Sequence, residues 1–438
     1  MFCSHCGMAN VPGTKFCKNC GAAITAPGVA QGGVAAAAPP PPPPMMMPPP
    51  MAAATTYQVA QQQVYYVSQQ AAALAHGVHQ NHMIQGLRGR IQGLASTEDL
   101  EGFSLKEMFS DVFRRRGQDE VEEYLLVGTA KNTPSIDVVE TGWPRPWLFF
   151  RLLAALVIAY VVLSVICETT GNSNCIPGMM FLGAFAVPLA TLMLFFELNS
   201  PRNVSIHLIG KLFLAGAVIS LGVALLGYSL PIFQLGTWEA GIVEEVAKLL
   251  TVVILVHGAR YKYVLNGILF GATVGAGFAC FETAGYALNE GFLAGLLPVV
   301  VQSGQLSAAA TQAGVSQMLS ILLLRGVLAP LVHVAWTAIA AGALWRVKGD
   351  KPFSPMMMLD GHFLKAFLIP VALHAIWDAP FQLPLMGNQL LTGLVSWYVV
   401  FGIVQQGLHQ VKGEQQAHLQ ATLNQVEASM GTQAAAAV

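Results

Sequence analysis

Ionisable side chains lie within the most apolar stretches of the second half of this chain, where a lipid bilayer would disfavour them. They are Glu244, Glu245 and Lys248 in GIVEEVAKLL, Glu282 in GFACFETAGYA, His333 in APLVHVAWT, and His374 and Asp378 in ALHAIWDAP. A charged group at the centre of a bilayer costs at least about 2 kcal/mol, so a carboxylate or histidine there is a functional hypothesis by default. Carboxylates and imidazoles supply general acid and base catalysis, proton relays and metal ligation. The residue types therefore predict a polar functional centre inside the membrane.

The spacing within two of these segments places polar side chains on one helix face. Glu244 and Lys248 are four residues apart, as are His374 and Asp378, so each pair can interact. Asp378 can thereby orient the imidazole of His374. The neighbours Glu244 and Glu245 diverge by about 100° around a helix axis, so we expect only one of them to point directly at a substrate.

The composition is that of a membrane protein. Hydrophobic residues make up 54% of the 438 residues and charged residues only 10%, whereas soluble domains carry about 25% charged residues. The mean hydropathy is +0.55. A formal net charge of -1 gives no electrostatic attraction for nucleic acid or for an acidic substrate.

Apolar runs long enough to cross a bilayer of about 30 Å begin after Pro146. We predict an all-α polytopic membrane protein with about eight transmembrane helices. The expected spans are 147–167, 176–197, 207–229, 238–257, 264–288, 326–345, 364–382 and 389–408. The chain opens MFCSHCG, without the charged and apolar regions of a signal peptide, so none is expected.

Loop charges predict the orientation, because short cytoplasmic loops collect Lys and Arg. With both termini in the cytoplasm, the outer loops contain only Arg325, and all other basic loop residues lie on the inner side. That inner set consists of Arg145, Arg151, Arg202, Lys211, Arg260, Lys262, Arg346, Lys348, Lys351, Lys365 and Lys412. We therefore expect a multi-pass protein of the cell (inner) membrane with cytoplasmic N- and C-termini.

The candidate residues share one depth in this topology. Glu244, Glu282, His333 and His374 each lie six to eight residues from the outer end of their span, which is about 10 Å at 1.5 Å per residue. Neighbouring spans run in opposite directions, so this agreement is not a consequence of sequence spacing. It predicts one polar cavity in the outer leaflet that water reaches from outside.

Three ordered motifs on three spans resemble those of a known family. EEVAK at 244–248, FACFE at 278–282 and HAIWD at 374–378 resemble the EExxK, FxxxE and HxxxD motifs of the PrsW intramembrane proteases. The stretch RGVLAPLVH at 325–333 is similar to the family's penultimate motif helix, and the resemblance covers roughly residues 145 to 410. It implies hydrolysis of peptide bonds in membrane-anchored proteins, of which anti-sigma factors are the best-known substrates, on the extracytoplasmic side.

The resemblance also implies roles for the individual residues. Glu244 or Glu245 would be the general base on water, and His374 and His333 would stabilise the oxyanion or protonate the leaving amine. Asp378 would orient His374. The CAAX prenyl endopeptidases, distant relatives of the family, have a histidine where Glu282 stands, so the role of Glu282 stays open.

Three alternatives to glutamate-activated water follow from the same residues. Two histidines and three carboxylates at one depth could ligate a catalytic zinc, which needs about three protein ligands and an open position, although the chain has no HExxH pair. Proton-coupled transporters also use Asp, Glu and His relays, but no inverted-repeat copy of the EEVAK helix is present. A noncatalytic membrane scaffold would use these residues only to hold helices together.

The N-terminus contains a second motif, in which Cys3, Cys6, Cys17 and Cys20 form two CxxC pairs, each followed by glycine. Four thiolates at this spacing form a closed tetrahedral zinc site, and the glycines permit the tight turns. The segment resembles small bacterial zinc ribbons. We predict structural Zn²⁺ there; the ribbon could dock a protein partner or simply fold on the metal, and no nucleic-acid contact is expected.

The composition predicts five regions in the chain. They are a zinc ribbon at 1–24, a Pro/Ala/Gln-rich linker at 25–95, a cytoplasmic juxtamembrane helical segment at 96–145, the transmembrane protease domain at 146–410 and a polar tail at 411–438. Ser104 and Glu107 predict a capping box in the juxtamembrane segment.

The first outer loop and the segment 289–325 leave alternatives open. Cys167 and Cys175 could form a disulfide in an oxidising compartment or stay free. The apolar runs 291–301 and 318–324 are too short to span, so we expect interfacial or re-entrant helices that could control substrate access.

Overall fold

The computed structural model describes residues 82–230 and 238–436, which lie in one compact unit, Gln80–Val438. The predicted zinc ribbon and most of the linker lie outside the described residues. The described residues form helices and no strands. The α-helices, some of them continued by a turn of π-helix, are α1 His82–Ala95, α2 Leu105–Met108, α3 Gln118–Leu125, α4 Leu148–Thr170, α5 Ile176–Leu198, α6 Ile206–Tyr228, α7 Glu239–Leu255, α8 Val264–Tyr286, α9 Ala294–Ser303, α10 Ala308–Lys348, α11 Gly361–Trp377 and α12 Gly387–Ala436.

The prediction of an all-α polytopic membrane protein is confirmed. Each of the expected spans corresponds to a helix, and within the described residues 6 helical stretches are long and apolar enough to cross a membrane. The other two, α7 and α11, contain 17 residues each. Both carry candidate site residues, so the two shortest of the eight helices that correspond to the expected spans are those that supply the most ionisable groups.

Glycines bring α8 and α10 into close contact. Gly267, Gly271 and Gly275 recur every four residues along α8 and face the backbone of α10. A Cβ atom on Gly271 would lie 2.1 Å from the carbonyl oxygen of Thr337, so any other residue would push the helices apart. Small residues at this spacing are the usual means by which membrane helices approach closely. The contact sets Glu282 on α8 beside His333 on α10.

The juxtamembrane segment packs against the membrane domain through a buried carboxylate. Glu197, at the end of α5, accepts hydrogen bonds from the backbone N–H groups of Trp147, Leu148 and Phe149 at 2.7, 2.9 and 2.9 Å. It thereby satisfies the free donors at the start of α4. Tyr124 also donates to Glu197 at 3.3 Å, and its burial, together with this carboxylate, raises the pKa of the Tyr124 phenol.

Several local expectations are met or extended. Ser104 accepts from the backbone N–H of Glu107 at 3.4 Å, which is one of the two contacts of the predicted capping box, and the helix that it caps, α2, is only one turn long. Helix α1 lies within the predicted linker. The short apolar run at 318–324 was expected to be a separate interfacial or re-entrant helix, but it is part of the continuous 41-residue helix α10. Helix α12, which is 50 residues long, extends through most of the predicted tail. Cys167 and Cys175 are joined in a disulfide that connects the ends of α4 and α5.

Candidate active site

The fold brings every candidate residue of the apolar segments into one cluster. Four helices contribute them: α7, α8, α10 and α11. Chains of contacts shorter than 4 Å connect the side chains of Glu244, Glu245, Lys248, Glu282, His333, His374 and Asp378. The common depth predicted from sequence therefore corresponds to direct contact in space.

Lys248 is the centre of the cluster. Its Nζ lies 3.2 Å from Oε2 of Glu244, 2.9 Å from Oε1 of Glu245 and 3.1 Å from Nδ1 of His333. The side chain is fully buried, and its ammonium also lies 4.1 Å from the centroid of the Phe278 ring, the aromatic residue of the FACFE motif. An ammonium has three N–H donors, so Lys248 has one acceptor for each.

These contacts determine the tautomer of His333. Because an ammonium donates and cannot accept, Nδ1 of His333 accepts from Lys248, and the proton of the neutral imidazole is on Nε2. Nε2 lies 3.6 Å from Oε2 of Glu282. His333 therefore presents an N–H donor to the space beside Glu282.

His374 is fixed on both sides and on one face. Its Nδ1 lies 3.0 Å from Oε1 of Glu245, and its Nε2 lies 3.3 Å from Oδ2 of Asp378 and 3.7 Å from Oε2 of Glu244. The Trp336 ring stacks on the imidazole with the centroids 4.5 Å apart. The expected orienting contact of Asp378 is present, and Glu245 supplies a second one.

The two adjacent glutamates have different surroundings. Glu245 is 0% exposed, and its Oε1 contacts both Lys248 and His374. Glu244 is 6% exposed, and the hydroxyl of Tyr228, at the end of α6, donates to its Oε1 at 2.7 Å. Oε1 of Glu245 is thus held by two contacts while its Oε2 is buried without a partner among the described residues, and Glu244 is the more exposed of the two glutamates.

Arg325 extends the cluster along α10. Its Nη2 lies 2.9 Å from Oε2 of Glu282, a close ion pair whose angles do not make a hydrogen bond, and its guanidinium lies 3.9 Å from the centroid of the Tyr286 ring. Buried atoms of the cluster without a hydrogen-bond partner among the described residues are Oε2 of Glu245, Oε2 of Glu282, and Nε and Nη2 of Arg325. Such atoms are suited to hold water or substrate.

Sequence reasoning did not identify two residues that contact this cluster, Tyr228 and Trp336, which belong to none of the motifs. Arg325 was placed in the RGVLAPLVH stretch and in an outer loop, but no contact with Glu282 was predicted for it. The one available signal was the position of Trp336 three residues after His333, close to the same helix face. Tyr228 offered none, because its contact depends on how α6 packs on α7.

The donor types at the centre match zinc, but their arrangement does not. Polar atoms of Glu244, His333 and His374 lie within 4.8 Å of one another, and one carboxylate with two imidazoles is a known set of catalytic zinc ligands. However, the ammonium of Lys248 contacts Glu244 and occupies the lone pair of His333. The other nitrogen of His333 carries its proton, so in this arrangement His333 has no lone pair for a metal. The residues as placed do not fit a three-ligand metal site.

Comparison with known proteins identifies two regions of the chain. A family model described as PrsW family intramembrane metalloprotease matches residues 178–404, and a zinc-ribbon model matches residues 2–24. The first match covers slightly more than half of the chain and contains every residue of the cluster. No curated protein and no solved structure matches the chain.

Proposed function

This chain belongs to the PrsW family of intramembrane proteases, and we propose that it hydrolyses peptide bonds of membrane-anchored proteins with a water molecule activated by Glu244. Membership in this family makes the chain a multi-pass membrane protein with peptidase activity. Its substrates are then membrane proteins. The observation that carries the finer proposal is the approach of Oε2 of Glu244 to within 3.7 Å of Nε2 of His374, at a glutamate that is 6% exposed whereas its neighbour Glu245 is 0% exposed.

The contacts assign each residue a step in hydrolysis. Glu244 takes a proton from a water molecule while the oxygen of that water bonds to the carbonyl carbon of the substrate. The Nε2–H of His333, beside Glu282, would donate to the carbonyl oxygen and stabilise the negative charge that develops there. His374, held by Glu245 and Asp378, passes the proton from Glu244 to the leaving nitrogen, and the peptide bond breaks into a carboxylic acid, which keeps the second proton of the water, and an amine.

Tyr228 positions the base. Its hydroxyl donates to Oε1 of Glu244, and Oε2, which accepts from Lys248, keeps a second lone pair for water. Replacing Tyr228 by phenylalanine should lower kcat by roughly 10-fold with little change in KM, because a hydrogen bond to a charged group contributes about 1.5–3 kcal/mol and each 1.4 kcal/mol is a factor of ten in rate. Initial rates over a range of substrate concentrations measure both constants. Tyr160→Phe, in the separate packing cluster between α4 and α5, is the control and should leave both constants unchanged.

Metal removal tests the proposed mechanism. Because Lys248 and the proton on Nε2 block His333 as a ligand, we expect EDTA or 1,10-phenanthroline to leave peptide hydrolysis unchanged. The predicted ribbon zinc is a complication, so the same measurement is made on a Cys3→Ser, Cys6→Ser variant. If that variant loses activity with chelator and regains it with Zn²⁺, the zinc-dependent mechanism replaces glutamate-activated water.

The loop charges support an orientation with both termini in the cytoplasm and the cluster towards the outer face. Cleavage would then take place on the extracytoplasmic side of the substrate, as in release of a membrane-anchored anti-sigma factor. The predicted ribbon of Cys3, Cys6, Cys17 and Cys20 would hold structural zinc on the cytoplasmic side and dock a protein partner there.

A peptide library identifies the activity directly. Purified protein in liposomes is given peptides with one apolar span and randomised residues at the boundary between span and polar end, and new termini are determined by mass spectrometry. The proposal requires cleavage near that boundary by the wild type. Proton flux across the same liposomes without any cleavage would instead support the transporter alternative.

A further inference from the structure

The catalytic cluster is enclosed, so a substrate needs a defined route to it. His333 and His374 are each 1% exposed, and Glu244 is 6% exposed. A peptide bond must come within hydrogen-bond distance of these groups to be cut. The route therefore determines which part of a substrate is recognised, given the proposed function.

An apolar groove lies on the surface of α10 near the cluster. It has a volume of about 380 Å³ and no charged residue in its lining. Its walls are Ser320, Leu323, Leu324, Val327 and Leu328 of α10 and Met386 of the short turn before α12. From Ser320 to Leu328 the helix rises about 12 Å, which matches three or four residues of an extended peptide.

The groove is continuous with the wall of the cluster. Leu328 packs against a buried group formed by Val332, Trp336, Leu373 and Trp377. The Trp336 ring in turn stacks on His374 with the centroids 4.5 Å apart. One row of α10 side chains, each four residues from the last, thus leads from the groove to the catalytic imidazole.

The other wall of the groove is a strained turn. Leu385 and Met386, in the turn Pro384–Met386, have φ angles of 56° and 57°. Residues with side chains rarely adopt this left-handed conformation, because Cβ then crowds the backbone. Leu385 is also 91% exposed, so its own side chain makes few contacts that hold this conformation in place. This wall can rearrange at lower cost than a helix.

We propose that this groove binds the apolar membrane-spanning segment of the substrate next to the bond that is cut, and that the Pro384–Met386 turn moves to admit it. An uncharged lining selects an uncharged segment, because a charge placed there would lose its hydration without a partner. This inference deepens the proposed function by naming what the site recognises: a few apolar residues at the end of a transmembrane segment.

Cross-linking tests the groove without requiring catalysis. Benzoylphenylalanine is placed at position 327 or, as the control, at position 218 in the Glu244→Gln background, with the full chain in liposomes. Val218 is 67% exposed on α6 and does not line the groove. The probe is a synthetic peptide with a leucine–alanine span of about twenty residues and a polar end. We expect cross-links at 327 in excess over 218, and equal yields at the two positions would overturn the proposal.

Cleavage kinetics give a second test. Val327→Trp fills the groove and should raise KM for a spanning peptide about 10-fold or more, whereas Val218→Trp should leave it unchanged. A lysine in the apolar residues next to the cut bond should lower kcat/KM by a similar factor. Equal KM values for Val327→Trp and the wild type would overturn the proposal that the groove binds the substrate. Selective cross-linking at 327 together with a wild type that cuts no peptide would support the groove and overturn the proposed function instead.

Discussion

Replacing Glu244 by glutamine is expected to lower the rate of peptide hydrolysis by about 10²- to 10⁴-fold while the protein stays folded, because the amide cannot take a proton from water. The substitution keeps the size of the side chain, and its carbonyl oxygen can still accept from Tyr228 or Lys248. Initial rates with a library-derived substrate and thermal unfolding in detergent measure the two effects. Glu290→Gln, at an exposed position outside the cluster, is the matched control and should change neither.

Glu245→Gln should behave differently from Glu244→Gln. Glu245 is fully buried and one of its oxygens contacts both Lys248 and His374, so the substitution should reduce stability together with activity. The unfolding midpoint therefore separates the two glutamates. A stable, inactive Glu245→Gln variant alongside an active Glu244→Gln variant would assign the base to Glu245.

Removal of the central ammonium should have the largest effect on stability. In Lys248→Met, Glu244 and Glu245 lose the cation between them, and breaking one partner of a buried ion pair typically costs about 3–5 kcal/mol. Nδ1 of His333 also loses its donor. We expect a strongly lowered unfolding temperature in detergent and no hydrolysis. Lys106→Met, at an exposed position of the juxtamembrane segment, controls for the change in side chain.

A double substitution tests the cause of that loss. If uncompensated carboxylates destabilise Lys248→Met, then adding Glu245→Gln should restore part of the lost stability, because one buried negative charge is removed with the positive one. If the two residues do not interact, their effects on the free energy of unfolding should add. The double variant would then be less stable than Lys248→Met by the full amount that Glu245→Gln alone costs. The packing of the lysine stem on Phe278 would then account for the effect.

The membrane class and the site residues could be predicted from the sequence because their physical basis is local. Apolar runs must be helical in a bilayer, since every backbone group has to be hydrogen-bonded within the segment. Ionisable residues in such runs are costly, so EEVAK, FACFE and HAIWD were recognisable as candidates for a functional site. The family match confirms this resemblance. The same local rules identified the Ser104 cap, but not that α2 ends after one turn.

Contacts between helices were not predictable in the same way. The tautomer of His333 depends on the position of Lys248, 85 residues away in sequence, and the contact of Tyr228 depends on the packing of α6 against α7. Sequence spacing could state that Glu244 and Glu245 point in different directions, but not which of them is enclosed. Arg325 was expected in an outer loop, whereas α10 continues through it and places it beside Glu282.

By itself, the sequence determined that the chain crosses a membrane and which residues are candidates for the site. The bilayer imposes a free-energy cost on each ionisable side chain separately, so each could be recognised without its partners. These candidates are Glu244, Glu245, Lys248, Glu282, His333, His374 and Asp378. Only the tertiary structure decided which of them touch. The glycines of α8 let α10 approach, and that approach places His333 against Lys248 and Glu282. Acid, base and donor roles depend on distances of about 3 Å between separate helices, and such distances are set by packing rather than by spacing along one segment.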